Sequence, residues 1–126
     1  MRIFLLFLSV SVLFASSCKA AESVFMSGFE DLPLMDGLKQ AEDTAVSFDA
    51  PSGRIIEAYA QSGETGKRKI ADFYKKTLPQ LGWKRLSASK SVSPVSYARE
   101  GEVLTISIDD GTPASVRFEL MTREKD

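Results

Sequence analysis

Apolar residues recur at helical spacing over one stretch of the chain, residues 70–81. Their positions are three or four residues apart and define one buried stripe: Ile70, Phe73, Tyr74, Thr77, Leu78 and Leu81. Thr65 is a candidate N-cap, because its hydroxyl can accept a hydrogen bond from an exposed backbone N–H. Pro79 should end or bend the last turn, and Gly82 suits a left-handed cap after it.

Alternation of apolar and polar residues predicts strands on both sides of this helix. Residues 54–61 form the strand before it, and three strand regions follow: 83–88, the pair 95–99 with 103–109, and 115–121. The later strands have one apolar and one polar face, which is typical of an antiparallel sheet covered on one side. We therefore predict an α+β domain over residues 49–126, with a single helix packed on one face of an antiparallel sheet and the order β-α-β-β-β.

The stretch before this domain, residues 21–48, follows neither period. Its apolar residues are interrupted by Gly28, Pro33 and Gly37, which predicts an extended N-terminal arm rather than a helix. The arm either packs over the core of its own domain or docks a partner. In the second case, Phe25, Phe29 and Leu34 are its candidate partner contacts.

Residues 1–20 have the order of an export signal: a basic start at Arg2, a run of about a dozen mostly apolar residues and a small-residue stretch up to Ala20. That run is shorter than the roughly 20 residues that a membrane-spanning helix needs. Cleavage after Ala20 gives a periplasmic or secreted protein. Alternatively, residues 15–18 act as a lipobox, Cys18 is lipidated, and the product is an outer-membrane lipoprotein. Ala15 replaces the usual Leu of a lipobox, which favours the first route.

Composition removes several classes of chemistry. The chain has no histidine, and Cys18 is its one cysteine, so Ser-His-Asp and Cys-His catalysis and an intrachain disulfide are excluded. No phosphate-binding loop or dinucleotide motif occurs. Without Arg2 and Lys19, 14 basic residues face 17 acidic ones, a net charge of −3 that disfavours nucleic-acid binding. We predict no catalytic, metal or cofactor-binding residue.

The uncovered face of the sheet is the second candidate contact surface. We expect Tyr59, Tyr97, Arg99 and Arg117 on it, with Trp83 as a further candidate, because tyrosine and arginine are favoured at protein interfaces. The same residue types are also common on exposed strands. Tyr97, Arg99 and Arg117 are therefore candidate partner contacts.

Two further residue groups support alternative hypotheses. The acidic pair Glu30 and Asp31 could serve a small histidine-free hydrolase or glycan-active enzyme, although ordinary solvated acids give the same sequence. The second group is basic and lies on the predicted helix, where it could contact lipid headgroups or glycans: Lys67, Arg68, Lys69, Lys75 and Lys76. A solvated helix face with charges of alternating sign explains the same pattern.

Three stretches carry a family resemblance: Asp31 to Met35, Phe48 to Ile55, and the sequence FYKKTLPQLGW from Phe73 to Trp83. Together they resemble an uncharacterised family of small exported proteobacterial proteins with a FYxxTLPQLGW-type helix. The resemblance implies export and the fold, and it assigns no activity and no functional residue.

The preferred hypothesis is an exported cell-envelope protein that binds or supports a protein partner without catalysing a reaction. The arm and the uncovered sheet face are its candidate contact surfaces. Membrane contact is expected only if Cys18 is lipidated, and the oligomeric state stays open.

Overall fold

The computed structural model describes residues 24–41, 45–86 and 91–123. Its strands form one antiparallel sheet in the order β1-β3-β7-β6-β5-β4, with β2 also paired to β3. The strands are β1 (Leu38–Gln40), β2 (Val46–Ala50), β3 (Gly53–Ser62), β4 (Lys84–Arg85), β5 (Val95–Arg99), β6 (Glu102–Ile108) and β7 (Ser115–Arg123). Helix α1 (Lys67–Thr77) leads into a 3-10 turn at Leu78–Leu81. In these ranges no helix has the length and apolar character to cross a bilayer.

The predicted α+β class, with a helix packed on an antiparallel sheet, is confirmed. The sheet has two strands more than expected on its β3 side. β1 lies within the stretch predicted as an arm, and β2 begins in that stretch and ends at Ala50. Both pair with β3 in different registers: Gln40 lies opposite Ala60, whereas Val46 lies opposite Glu57. The two pairings are offset by three residues, so the register on β3 differs between β1 and β2.

The helix follows the predicted stripe at Ile70, Tyr74 and Leu78, all of which are buried. Gly82 adopts φ +90°, and the N–H of Trp83 donates to the carbonyl of Leu78, so the predicted left-handed cap is confirmed. The predicted N-cap at Thr65 is wrong. Gly66 occupies that position without a side-chain cap, and the Thr65 carbonyl instead accepts a hydrogen bond from Ser62.

One hydrophobic core lies between the helix and the covered face of the sheet. The Tyr74 ring meets Phe118 of β7 edge to face, with ring centroids 5.3 Å apart. Alternate residues of the four long central strands complete this face: Ala58, Ala60, Val95, Tyr97, Leu104, Ile106, Ile108, Val116, Phe118 and Leu120.

Met26 and Leu32 of the arm belong to the same core, and Phe29, Leu34 and Met35 pack against it. Met26 and Leu32 are 1% and 3% exposed, and the Met26 N–H donates to the Leu32 carbonyl at 2.8 Å. The buried hydroxyl of Tyr74 donates to the Pro33 carbonyl at 2.9 Å and so ties the arm to the helix. Of the two roles weighed for the arm, packing over its own domain is the one the structure shows for these residues.

Candidate functional site

A cleft of about 360 Å³ opens on the covered face of the sheet, beside the part that α1 covers. Its roof is the arm loop 28–32, and Trp83 forms one wall. We call it the arm cleft. Its volume falls within the range of small-molecule and side-chain pockets. The lining combines apolar residues with five charged ones, which are Glu30, Asp31, Arg54, Arg99 and Glu102.

Strand register arranges the floor of the arm cleft in two rows. The inner row crosses β3, β7 and β6 through Ile56, Leu120 and Leu104, which lie opposite one another in turn. The outer row crosses the same three strands two residues away from the inner row and continues into β5. Its members are Arg54, Thr122, Glu102 and Arg99. Residues two apart on a strand share a face, so the apolar and the polar row lie side by side.

Asp31 and Arg99 close one side of the cleft with a bidentate ion pair. Arg99 Nη1 donates to Asp31 Oδ2 at 2.6 Å, and Nη2 donates to Oδ1 at 3.0 Å. Nη1 also donates to the Leu81 carbonyl, so one guanidinium joins the arm, β5 and the turn after α1. These hydrogen bonds from Arg99 hold the pKa of Asp31 below its ordinary value.

Trp83 packs beneath the same guanidinium. The Arg99 guanidinium carbon lies 4.3 Å from the centre of the indole ring, within cation–π range. The indole N–H of Trp83 and the Nε–H of Arg99 are buried and find no acceptor among the described residues. Unpaired buried donors are uncommon and costly, so this wall is less completely satisfied than an ordinary core.

The predicted contact residues do not form one surface. Phe29 and Arg99 line the arm cleft, and Arg117 lies on the uncovered face of the sheet as expected. Leu34 is half-buried against the core, whereas Phe25 is 51% exposed on the outer side of the arm. Cys18, the candidate lipidation site, lies outside the described residues, as does the whole predicted signal.

The prediction that Tyr97, Trp83 and Arg99 lie on the uncovered face is wrong. Tyr97 is 1% exposed and lies opposite Leu104, so both point to the helix-covered face. Arg99 follows two residues later on the same face. The small residues Ser96 and Ala98 face outward instead, which inverts the expected orientation of β5. Asp31, expected to be solvated, is ion-paired.

The uncovered face carries a charged cluster and an apolar row. Arg117 contacts Glu57 and Glu119, and Tyr59 donates a hydrogen bond to Glu57. These bonds, of which the one from Arg117 contributes most, lower the pKa of Glu57. The apolar row runs in register across five strands through Phe48, Ile55, Met121, Val103 and Ala98. Phe48 is its most open member, at 47% exposed.

Two further charged groups lie away from the arm cleft, one on the basic helix and one in the turn at residues 109–111. Lys67 of the basic helix forms an ion pair with Asp110 at 3.0 Å. Asp109 accepts hydrogen bonds from the backbone N–H groups of Gly111 and Ser115, as expected of a hairpin turn. Across the described ranges no three histidine, cysteine or acidic residues are grouped as metal ligands.

Sequence reasoning missed Arg54, Glu102 and Thr122 as parts of one site. Arg54 and Glu102 lie near strand ends beside tight turns, where a charged residue is ordinary, and Thr122 lies near the end of β7. A usable signal was the hairpin 95–109, since its two-residue turn places Arg99 opposite Glu102. The contribution of Asp31 from the distant arm has no comparable local signal.

A scan against protein-family models returned no match, and searches of curated proteins and of solved structures returned no significant one. The family resemblance therefore stays a prediction. The geometry of the arm cleft carries the functional argument that follows.

Proposed function

We propose that the protein is an exported, non-enzymatic module of the cell envelope that binds a protein partner, and that the partner inserts an apolar side chain into the arm cleft. The observation that carries this proposal is the cleft itself. Ile56, Leu104 and Leu120 line it beneath the arm, and Ile56 is the member of this row that stays partly exposed. A pocket in which apolar surface and convergent polar groups lie together is a common form of binding site.

The composition of the walls supports recognition of a protein. Aromatic and arginine side chains dominate binding hot spots, and Phe29, Trp83 and Arg99 provide both types. The bidentate ion pair fixes the position of the roof, which reduces the ordering cost when a partner binds.

The same ion pair works against the hydrolase hypothesis. A general acid must carry a proton near neutral pH, and Arg99 lowers the pKa of Asp31. Asp31 is therefore suited to holding the arm rather than to transferring a proton.

Site-specific photo-crosslinking tests where the partner binds. A photoreactive phenylalanine analogue replaces Phe29 on the roof of the cleft, and in a matched protein it replaces Tyr59 on the uncovered face. Each purified protein is added to envelope extract of the producing cell and irradiated, and adducts are identified by mass spectrometry. We expect one abundant adduct at position 29 that is absent at position 59.

The reverse pattern, an adduct at position 59 alone, would place the partner on the uncovered face and reject the arm cleft. Equal labelling of many proteins at both positions would reject specific binding.

Export is tested by the intact mass of the protein recovered from the envelope. The proposed route predicts a mature chain that begins at Ala21 without lipid. A mass corresponding to a chain that begins at a diacylated or triacylated Cys18 would show the lipoprotein route. A protein found in the cytoplasm with residues 1–20 still attached would contradict export.

A further inference from the structure

The outer floor row of the arm cleft alternates in charge across the sheet. Arg54 of β3, Thr122 of β7 and Glu102 of β6 lie on the same face as direct neighbours in the register. Arg54 and Glu102 flank the hydroxyl of Thr122 from opposite sides. β3 and β6 are two strand spacings apart, so these two charged residues are separated by roughly 10 Å at their α-carbons.

Neither charge is neutralised by a direct ion pair among the described residues. The Nε of Arg54 donates to the neutral hydroxyl of Ser47, and Asp49, which lies opposite Arg54 in β2, forms no ion pair with it. Glu102 is close enough to Arg99 to raise the pKa of that guanidinium.

However, Arg99 gives both of its terminal nitrogens to Asp31. One guanidinium thus serves two carboxylates, and the Glu102 side of the cleft keeps a surplus negative charge. The exposed Glu30 on the roof adds to it. The cleft therefore has an anionic side at Glu102, a cationic side at Arg54, and the apolar inner row next to both.

From this charge pattern we propose that the arm cleft recognises an extended segment of the partner with a basic residue, an apolar residue and an acidic residue on one face. The basic group lies at Glu102, the acidic group at Arg54, and the apolar side chain over the inner row at Ile56, its partly exposed member. The inference rests on the proposed function, because it assumes that the partner enters this cleft.

The spacing of an extended peptide fits these three positions. Side chains two residues apart share a face, so first, third and fifth residues project together over roughly 13 Å. The α-carbons of Arg54 and Glu102 are roughly 10 Å apart, and the flexible side chains of Arg54 and of the peptide's Lys and Glu make up the difference.

The test uses three capped pentapeptides and isothermal titration calorimetry with the exported protein. The peptides are acetyl-Lys-Ala-Leu-Ala-Glu-amide and the corresponding Lys–Lys and Glu–Glu peptides. We expect the mixed peptide to bind at least tenfold more tightly than either peptide with like charges. Arg54→Glu makes both sides anionic and should transfer the preference to the Lys–Lys peptide, again by at least tenfold.

A matched control is Arg68→Glu, which changes the net charge by the same amount on the exposed side of α1 and should leave the order of affinities unchanged. If Arg54→Glu does not fold, Glu102→Lys is the second variant, and it should favour the Glu–Glu peptide.

Equal affinities for the three peptides, or no binding of any, overturn this inference. The photo-crosslink at position 29 is independent of these peptides. If that adduct forms while the peptides fail, the arm cleft remains the partner site and only its charge selectivity is rejected. If the adduct forms at position 59 instead, the proposed function itself fails.

Discussion

Asp31 and Arg99 are 68 residues apart in the chain, yet they form a bidentate ion pair that joins the arm to β5. The Arg99 side chain is 17% exposed and stacks on Trp83, whereas the Asp31 side chain is 45% exposed. The pair thus lies at the border between core and solvent. The ion pair therefore holds the arm loop 28–32 in position over the cleft.

Asp31→Asn should weaken the contact between the arm and Arg99 without unfolding the domain. Solvent screens a half-exposed carboxylate, so we expect a loss of about 1 kcal/mol in the free energy of unfolding. Urea denaturation followed by tryptophan fluorescence measures it through Trp83. Glu30→Gln is the matched control, because Glu30 is exposed and precedes Asp31 in the chain. It should change the free energy of unfolding by less than about 0.5 kcal/mol. Equal effects of the two substitutions would contradict a specific role for Asp31.

The stabilisation from this ion pair should depend on pH in one direction. Because the pKa of folded Asp31 lies below its ordinary value of 3.8, the contribution is fully present above that value and is lost as the pH falls through the folded pKa. The difference in unfolding free energy between wild type and Asp31→Asn should be constant from about pH 7 to 5 and shrink below about pH 4. A difference that persists unchanged at about pH 2 would exclude the ion pair as its source.

The arm should contribute to the core through some residues and not through others. Met26→Ala and Leu32→Ala each remove a buried side chain and should cost about 2–5 kcal/mol of unfolding free energy. Phe25→Ala removes a side chain that is 51% exposed and should cost much less, within about 1 kcal/mol. Thermal denaturation of the three variants measures this order. Similar small losses in all three would show that the arm is not part of the core.

Gly82 ends the helical segment with φ +90°, a conformation that disfavours residues with a Cβ atom. Gly82→Ala should therefore lower the unfolding free energy by about 1–2 kcal/mol. Gly63→Ala is the control, because Gly63 is not among the glycines with positive φ and a Cβ there meets open space. The control should leave stability unchanged or raise it slightly. A Gly82→Ala variant with the same free energy of unfolding as the wild type would contradict the left-handed cap.

The helix and the covered face of β3, β6 and β7 could be predicted because local periodicity determines them. Residues at spacings of three, four or two share a face whatever the rest of the chain does. The orientation of β5 could not be predicted in this way. Tyr97 is apolar enough for the core and polar enough for the surface, and its face is decided by pairing with Leu104.

The candidate site depended even more on distant contacts. The arm cleft joins residues of the arm, β3, the turn after α1, β5, β6 and β7, and no local pattern places Asp31 beside Arg99. The arm itself lacks a period because its residues fill the space left by the helix. Its burial follows from tertiary packing, through contacts such as the hydrogen bond from Tyr74 to Pro33.

The central claim is that the partner binds in the arm cleft, and a pair of matched Thr→Phe variants tests it most directly. Thr122 lies on the cleft floor, whereas Thr105 of the neighbouring strand lies on the uncovered face. The measurement is the yield of the position-29 adduct for each variant, with circular dichroism to confirm folding. We predict at least a tenfold loss for Thr122→Phe, which fills the cleft, and an unchanged yield for Thr105→Phe. A folded Thr122→Phe variant with full yield, or a loss confined to Thr105→Phe, would contradict the claim.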